Sequence, residues 1–333
     1  MRALRYEGPA SGVSFLRNTP EPEVREGEAL VRPLRMAIGS ADVLLAARKP
    51  GIPGVTMGRE FVGIVERIGA GKGPREKGPS LVGKRVVASS CISCGECDLC
   101  QRGLAAHCRS RAVVGLFGRD GCFADRLVMP LRSLLAVPNE VDDDHAVFAE
   151  SLASAVHAAQ QLRIEGKPYI TVLGDGDLAL LCGQVMNRLN ASVRIVGWQP
   201  SRADLTAKWG VKHRLERDIG RRADQDVVVD CTGTPEGFDL ALKLVRPRGK
   251  VLVKGLLHAS VASAWTIDLS PIATSEIEVI GSASGPIGEA LEVLKRREVD
   301  IVSLISKRIR LEDSAEGLRT AARGEAVKVL IEP

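Results

Sequence analysis

A chain of 333 residues suggests about two domains, and its 45% hydrophobic content is enough to fill their cores. Aromatic residues make up only 3%, and the formal charge is a mild +5 with no long basic run; base stacking and a nucleic-acid stripe are both disfavoured. The opening MRALRYEGPA is charged where a secretory leader is apolar, and no run of about 18 apolar residues occurs, so a soluble cytoplasmic protein is expected.

The first third is rich in Gly and Pro, with short β-branched runs. Residues 29–34, 61–68 and 81–88 read as strands, and 69–83 as a polar loop. Four cysteines follow, Cys94, Cys97, Cys100 and Cys108, in a C-x2-C-x2-C-x7-C array. Short spacings let the backbone offer four thiolates to one tetrahedral zinc, and a full quartet leaves no position for water or substrate. The array therefore reads as a closed structural zinc site. Disulfides or free thiols are the competing reading, but disulfide-built chains are small and cysteine-dense, whereas this one has 8 Cys in 333 residues. Cys91 stands outside the array. Cys122, Cys182 and Cys231 read as buried small hydrophobes.

Near Asp142 the texture changes to alternating helix and strand. Residues 144–161 read as a helix, with Asp142, Asp143 and Asp144 offering capping carboxylates. Strands are expected at 169–173, 193–196, 226–230, 250–253 and 278–280, and helices at 178–189, 202–209 and 236–244. That alternation predicts an α/β fold with a parallel sheet covered on both faces. Beyond Gly281 a mixed segment ends in a strand at 327–331. Arg221 and Arg222 read as a solvated loop.

Between the strand at 169–173 and the next helix lies Gly174-Asp175-Gly176-Asp177-Leu178-Ala179, a G-x-G-x-x-A dinucleotide fingerprint. Gly174 permits the tight turn, Gly176 admits a pyrophosphate to the helix N-terminus, and Ala179 keeps helix and strand close. The acids Asp175 and Asp177 are unusual beside a phosphate. An NAD site commonly ends the second strand in an acid for the ribose hydroxyls, but Gly197 stands there. With Arg202 or Ser201 nearby to hold a 2′-phosphate, NADP is expected over NAD. Thr232, just past the strand at 226–230, completes the cofactor candidates.

Together these features resemble the zinc-type medium-chain dehydrogenase/reductase family, the alcohol dehydrogenase relatives. The run from Cys94 to Cys108 is similar to the family's structural-zinc lobe, ligand for ligand. Gly58-Arg59-Glu60-Phe61-Val62-Gly63, followed by Gly69, is similar to its G-H-E-x-x-G signature except at one residue. Glu150-Ser151-Leu152-Ala153 resembles its E-P-L segment. The resemblance implies a GroES-like β-rich catalytic domain (1–141, with the zinc lobe at 91–108), a Rossmann domain (142–283) and a C-terminal return (284–333). It also implies a homo-oligomer, dimer or tetramer, built through the Rossmann sheet edge.

The family's second zinc does the chemistry, and here the resemblance breaks. The thiolate position is Gly39, in Gly39-Ser40-Ala41-Asp42, and the histidine position is Arg59. A guanidinium has no lone pair to give. Only Glu150, with Glu60 behind it, remains, and the relay hydroxyl falls at Ala41. Two carboxylates hold zinc poorly in a shape made for thiolate and imidazole, so no catalytic zinc is expected. Arg59 either neutralises Glu60 or Glu150 as a plug or orients a substrate oxygen. Ser40 and Asp42 join Arg59, Glu60 and Glu150 as the candidate catalytic residues. His107 is left out of the complete quartet, His157 reads as a packed helix residue, and His145 and His213 read as surface positions. His258 is a distant candidate acid.

Three functions follow. The first is a zinc-independent NAD(P)H oxidoreductase acting on a carbonyl, alcohol or enone. The second is a zinc alcohol or polyol dehydrogenase with rearranged ligands. The third is a non-catalytic nucleotide-binding or scaffold protein on the same fold.

Overall fold

The computed structural model describes residues 1–8, 10–48, 53–70, 81–255 and 267–333. They form two compact units, Met1–Ala153 with Ser284–Pro333, and Ser154–Ala283. His258 and most of the 69–83 loop lie outside the described residues.

The first unit is built on a sheet of seven strands. Its main path runs Leu134–Ala136, Arg85–Ala88, Glu60–Ile68, Glu28–Ile38, Lys328–Glu332 and Ile305–Arg310, and Leu127–Pro130 also pairs with Glu28–Ile38. The long strand Glu28–Ile38 holds Pro33, which has no amide to donate, and its ladder with Glu60–Ile68 shifts register there, between Pro33 and Arg35. On one side Ala37 lies opposite Glu60. On the other, Ile38 lies opposite Val329. The ends of three adjacent strands therefore bring residues 39, 60 and 328 to one place. Tyr6, Met36, Met57, Phe123, Leu127 and Met129 fill the core beneath and are fully buried. A small sheet of Cys91–Ile92, Ala112–Val114 and Gly118–Arg119 forms the base of the cysteine lobe.

The second unit is a six-stranded parallel sheet. In order it runs Lys212–Leu215, Ser192–Gly197, Tyr169–Leu173, Gln225–Asp230, Val245–Val253 and Glu278–Gly281. By sequence order that is 3-2-1-4-5-6, the doubly wound arrangement whose ligand crevice lies at the carboxyl ends of the strands. The apolar run Val227, Val228 and Val229 is buried, as suits a central strand covered on both faces.

Several elements differ from expectation. The single helix foreseen at 144–161 is two helices, Asp143–Ala146 and Ala149–Gln160, because a tight turn from the Phe148 amide to the His145 carbonyl interrupts it. His145 is buried, not at the surface; its ring Nδ1 lies 2.8 Å from Asp142. His213 is likewise covered, its side chain only 2% exposed. The helix expected at 202–209 ends at Ala207, where Gly210 turns with φ +70°. The strand foreseen at 250–253 extends back to Val245. Among the described residues no helix is long and apolar enough to cross a membrane.

Asp142 caps its helix, accepting the His145 amide at 3.0 Å, and takes Arg297 at 3.0 Å. Partial burial opposes its charge, but the His145 and Arg297 donors outweigh this and hold its pKa below the usual carboxylate range. Asp142→Ala is expected to destabilise the protein by about 1–2 kcal/mol at pH 7. Because the folded pKa is depressed, the contribution of Asp142 is present above the unfolded value of about 3.9 and is lost as pH falls further. Urea unfolding of both proteins at pH 7 and pH 3 checks this, the difference between them shrinking at the lower pH.

Candidate active site, dinucleotide turn and cysteine lobe

The four cysteines of the lobe converge. The Sγ–Sγ distance is 3.5 Å for Cys97–Cys100 and Cys94–Cys108, and 3.9 Å for Cys94–Cys100 and Cys97–Cys108. Thiolates about 2.3 Å from a tetrahedral zinc stand about 3.8 Å apart, so the donor set has the size of a zinc site. Backbone amides of Arg109 and Cys100 pull the Cys97 thiol down to about 6, while desolvation and the hydrogen bond with Cys97 push the Cys100 thiol up to about 11. Arg109 grips Asp98 with two bonds of 2.7 and 2.9 Å, tying the two ends of the lobe together. Among the described residues this is the one cluster of three or more His, Cys, Asp or Glu donors close enough to share an ion.

A second cluster gathers where the three strands end. Glu60 opens its strand, 2% exposed, and its Oε2 lies 2.6 Å from Nζ of Lys328, which is fully buried. The Lys328 ammonium also lies 5.4 Å above the Phe148 ring. The other carboxylate oxygen of Glu60 points at Gly39: a Cβ there would stand 2.4 Å from Oε1. Glu60 thus fills the space a side chain at position 39 would take. Asp42, 1% exposed, accepts the Gly39 amide at 2.9 Å and faces Nε of Arg59 at 3.9 Å. Burial pushes the Asp42 carboxyl up, and the Arg59 charge opposes that. Arg59 keeps 16% of its side chain exposed, more than Asp42, Glu60 or Lys328. Glu150 accepts the Ser90 hydroxyl at 2.5 Å. Ser40 begins the helix Ser40–Arg48 and is exposed, and Ala41 is buried.

This cluster does not suit a zinc ion. Gly39 gives no thiolate, Arg59 no lone pair, and Glu60 is engaged by an ammonium. The nearby Cys122 is buried, and burial, reinforced by Asp42 and Glu60, pushes its thiol well above the ordinary value. Lys328 escaped the sequence reading, although a lone lysine in the apolar strand at 327–331 was a signal that something buried needs a cation.

In the second unit, Gly174 adopts φ +128° between the strand Tyr169–Leu173 and the helix Asp177–Asn187, a conformation open to glycine. A Cβ on it would meet that of Ala179 at 3.1 Å, whereas one on Gly176 would meet nothing within 4 Å. The turn is close-packed behind and open in front, as a pyrophosphate cradle requires. Asp175 turns away from that opening. Its carboxylate accepts the Trp198 amide and, at 2.9 Å, the Gln199 amide, and it lies 3.1 Å from Nε2 of His213. A Cβ at Gly197 would stand 1.8 Å from Asp175 Oδ1, so Asp175 explains why the second strand ends in glycine. Arg202 is half-buried beside it, and Asp175 supports its charge against desolvation. Thr232 donates to Asp230 at 2.6 Å through its hydroxyl. Cys182 is buried as foreseen, while Cys231 is only half-buried.

Two family models match, the Alcohol dehydrogenase GroES-like domain at residues 25–139 and Zinc-binding dehydrogenase at 178–298. The L-threonine 3-dehydrogenase of Chelativorans sp. (strain BNC1) is 27% identical, the alignment covering 100% of this chain and 98% of that protein. A structure from Sinorhizobium meliloti 1021, described as a zinc-binding dehydrogenase bound to NADP, superposes with a TM-score of 0.86 at 28% identity, covering 100% and 99% of the two chains. An alcohol dehydrogenase from Thermus sp. ATN1 gives 0.85 at 25% identity, with the same coverage. The chain belongs to the zinc-type medium-chain dehydrogenase/reductase family and is an NAD(P)-dependent oxidoreductase of small molecules.

Lys328→Met removes the ammonium from the buried Glu60 carboxylate and is expected to destabilise the protein by about 3–5 kcal/mol. Adding Glu60→Gln removes the stranded charge and is expected to restore part of the loss. Denaturant titration of the two variants against the parent reads both effects.

Proposed function

We propose that this enzyme transfers hydride between NADP(H) and a carbonyl or enone without a catalytic zinc, and that its one zinc per chain sits in the Cys94, Cys97, Cys100 and Cys108 lobe. The observation that carries this reading is the Glu60 carboxylate, lying in the space of a side chain at 39 and tied to Lys328. Bound nicotinamide supplies the hydride carrier. The chain must then hold the substrate oxygen and stabilise the charge that develops on it. Arg59 is the candidate, because its guanidinium is permanently charged, partly exposed and steadied by Asp42. Glu60 and Lys328 act behind it as a fixed pair that keeps the cluster near neutrality. Ser40 and Glu150 complete the proposed site from the two helices that begin beside it.

For the dinucleotide, Gly174, Gly176 and Ala179 form the pyrophosphate turn, with Gly197 and Thr232 beside it. Asp175 is held by two amides and His213 and also supports the Arg202 charge; Arg202 is the proposed cation for a 2′-phosphate, steadied by that carboxylate. The NADP carried by the Sinorhizobium structure supports this choice. We further propose a catalytic role for residues 1–141 with the return at 284–333, and a dinucleotide role for 142–283. Assembly into a homo-oligomer through the edge strand Glu278–Gly281 is supported by its exposed Val279. None of the eight cysteines is paired in a disulfide, in keeping with a cytoplasmic location.

The test is NADPH oxidation with a panel of aldehydes, quinones and enones, with and without a chelator too weak to strip the lobe. Turnover is expected to be unaffected by the chelator. Arg59→Ala is expected to lower kcat/KM by about 10²–10³ with NADPH affinity unchanged; full retention of turnover would remove Arg59 from substrate binding. Arg202→Ala is expected to weaken NADPH at least about tenfold while sparing NADH, and equal losses for both would refute the 2′-phosphate assignment.

A further inference from the structure

The third link of the parallel sheet lacks a helix. Helices connect the first strand to the second (Asp177–Asn187), the second to the third (Arg202–Ala207) and the fourth to the fifth (Pro235–Leu244). Between Leu215 and Gln225 there is only the single turn Glu216–Asp218. The chain must travel back down a strand, about 15 Å, and sideways across three strand spacings, about 14 Å. Residues 216–224 can span at most about 30 Å when extended, and a helix at about 1.5 Å per residue would fall short. The crossover is therefore extended, and it leaves sheet surface uncovered.

That surface is polar. Ile195 lies under Gly183 of the helix Asp177–Asn187, so alternation turns Arg194 to the opposite face. Its in-register neighbours Thr171 and Lys212 share that face, as does Arg214 two residues on. A groove of about 770 Å³ opens there, lined by Lys167, Tyr169, Arg194, Lys212, Arg214 and Asp224 among others. It lies toward the amino ends of the strands, away from the dinucleotide turn at their carboxyl ends.

Four cations converge on this groove. Among the described residues Lys167, Arg194, Lys212 and Arg214 form no ion pair. Arg194 donates Nε to Thr171 at 2.8 Å, and Thr171 is itself held by Gln225 at 2.6 Å. The guanidinium is thus fixed in place, with its terminal nitrogens left to the groove. Burial draws its pKa down, Asp224 opposes that at longer range, and Arg214 adds repulsion. At the rim, Tyr169 is 60% exposed, and its backbone is anchored by Asp226 at 2.8 Å.

We propose that this groove binds a nucleoside polyphosphate, its phosphates on Arg194, Lys212, Arg214 and Lys167 and its base stacked on Tyr169. Four cations against one acid match a ligand carrying about three to four negative charges. The volume is that of a small-molecule site, and an exposed, anchored tyrosine beside the charges supplies an aromatic platform.

The experiment is calorimetric titration of the full chain, saturated with NADPH to occupy the dinucleotide turn, with ATP and separately with tripolyphosphate. ATP is expected to bind once per chain. Arg194→Met and the surface variant Lys212→Met are each expected to weaken it at least about tenfold, with NADPH affinity unchanged as the sign of an intact fold. Tyr169→Ala is expected to weaken ATP and spare tripolyphosphate. Absence of ATP binding, or binding indifferent to both charge variants, would overturn the site; equal losses of ATP and tripolyphosphate in Tyr169→Ala would overturn the nucleotide assignment.

Discussion

The candidate active site depends on one buried ion pair. Lys328 arrives on the C-terminal strand, Glu60 on the strand two places away, and the strand between them ends at Ile38, just before Gly39. Desolvating a carboxylate and an ammonium is costly, and only close contact offsets it. The pair therefore fixes the strand register at the point where the site is assembled. It also fixes where Glu60 points, and Glu60 in turn excludes any side chain at 39. The return of the chain at 284–333 is thus needed for the site's chemistry as well as its packing.

The same substitution pattern occurs twice. Gly39 and Gly197 are both places where a dehydrogenase of this architecture is expected to carry a functional side chain, a thiolate in one and an acid in the other. In each the vacancy is filled by a carboxylate reaching in from a neighbouring element, Glu60 in the first and Asp175 in the second. The two carboxylates are held differently. Glu60 meets a buried ammonium, whereas Asp175 meets backbone amides and His213. Glycine at either position is a packing requirement set by a partner distant in sequence.

The sequence made much of this legible. The cysteine spacing pointed to the lobe, the G-x-G-x-x-A turn lay between a strand and a helix as drawn, and strand–helix alternation described the parallel sheet. Those signals are local, since each depends on residues a few positions apart. What stayed hidden is what depends on distant pairing. Lys328 is 268 positions from Glu60, and only the antiparallel ladders bring them together. Asp175 looked misplaced beside a phosphate because its true partners, Trp198, Gln199 and His213, lie one and two strands away. His213 read as a surface residue because its carboxylate, Asp175, lies 38 positions away; His145 has its carboxylate close by in Asp142, and what stayed hidden there is its burial. The missing crossover helix was legible in principle, in the short interval between the third and fourth strands.

The central claim is that the cation at the catalytic position is supplied by Arg59 and Lys328 rather than by metal. Its most direct test is the zinc content per chain of protein purified without added metal. A value near one, lost together with the Cys94, Cys97, Cys100 and Cys108 quartet when those cysteines are replaced, is the predicted result. A value near two would contradict the account, because it would require a second ion in a space now held by the Glu60 carboxylate.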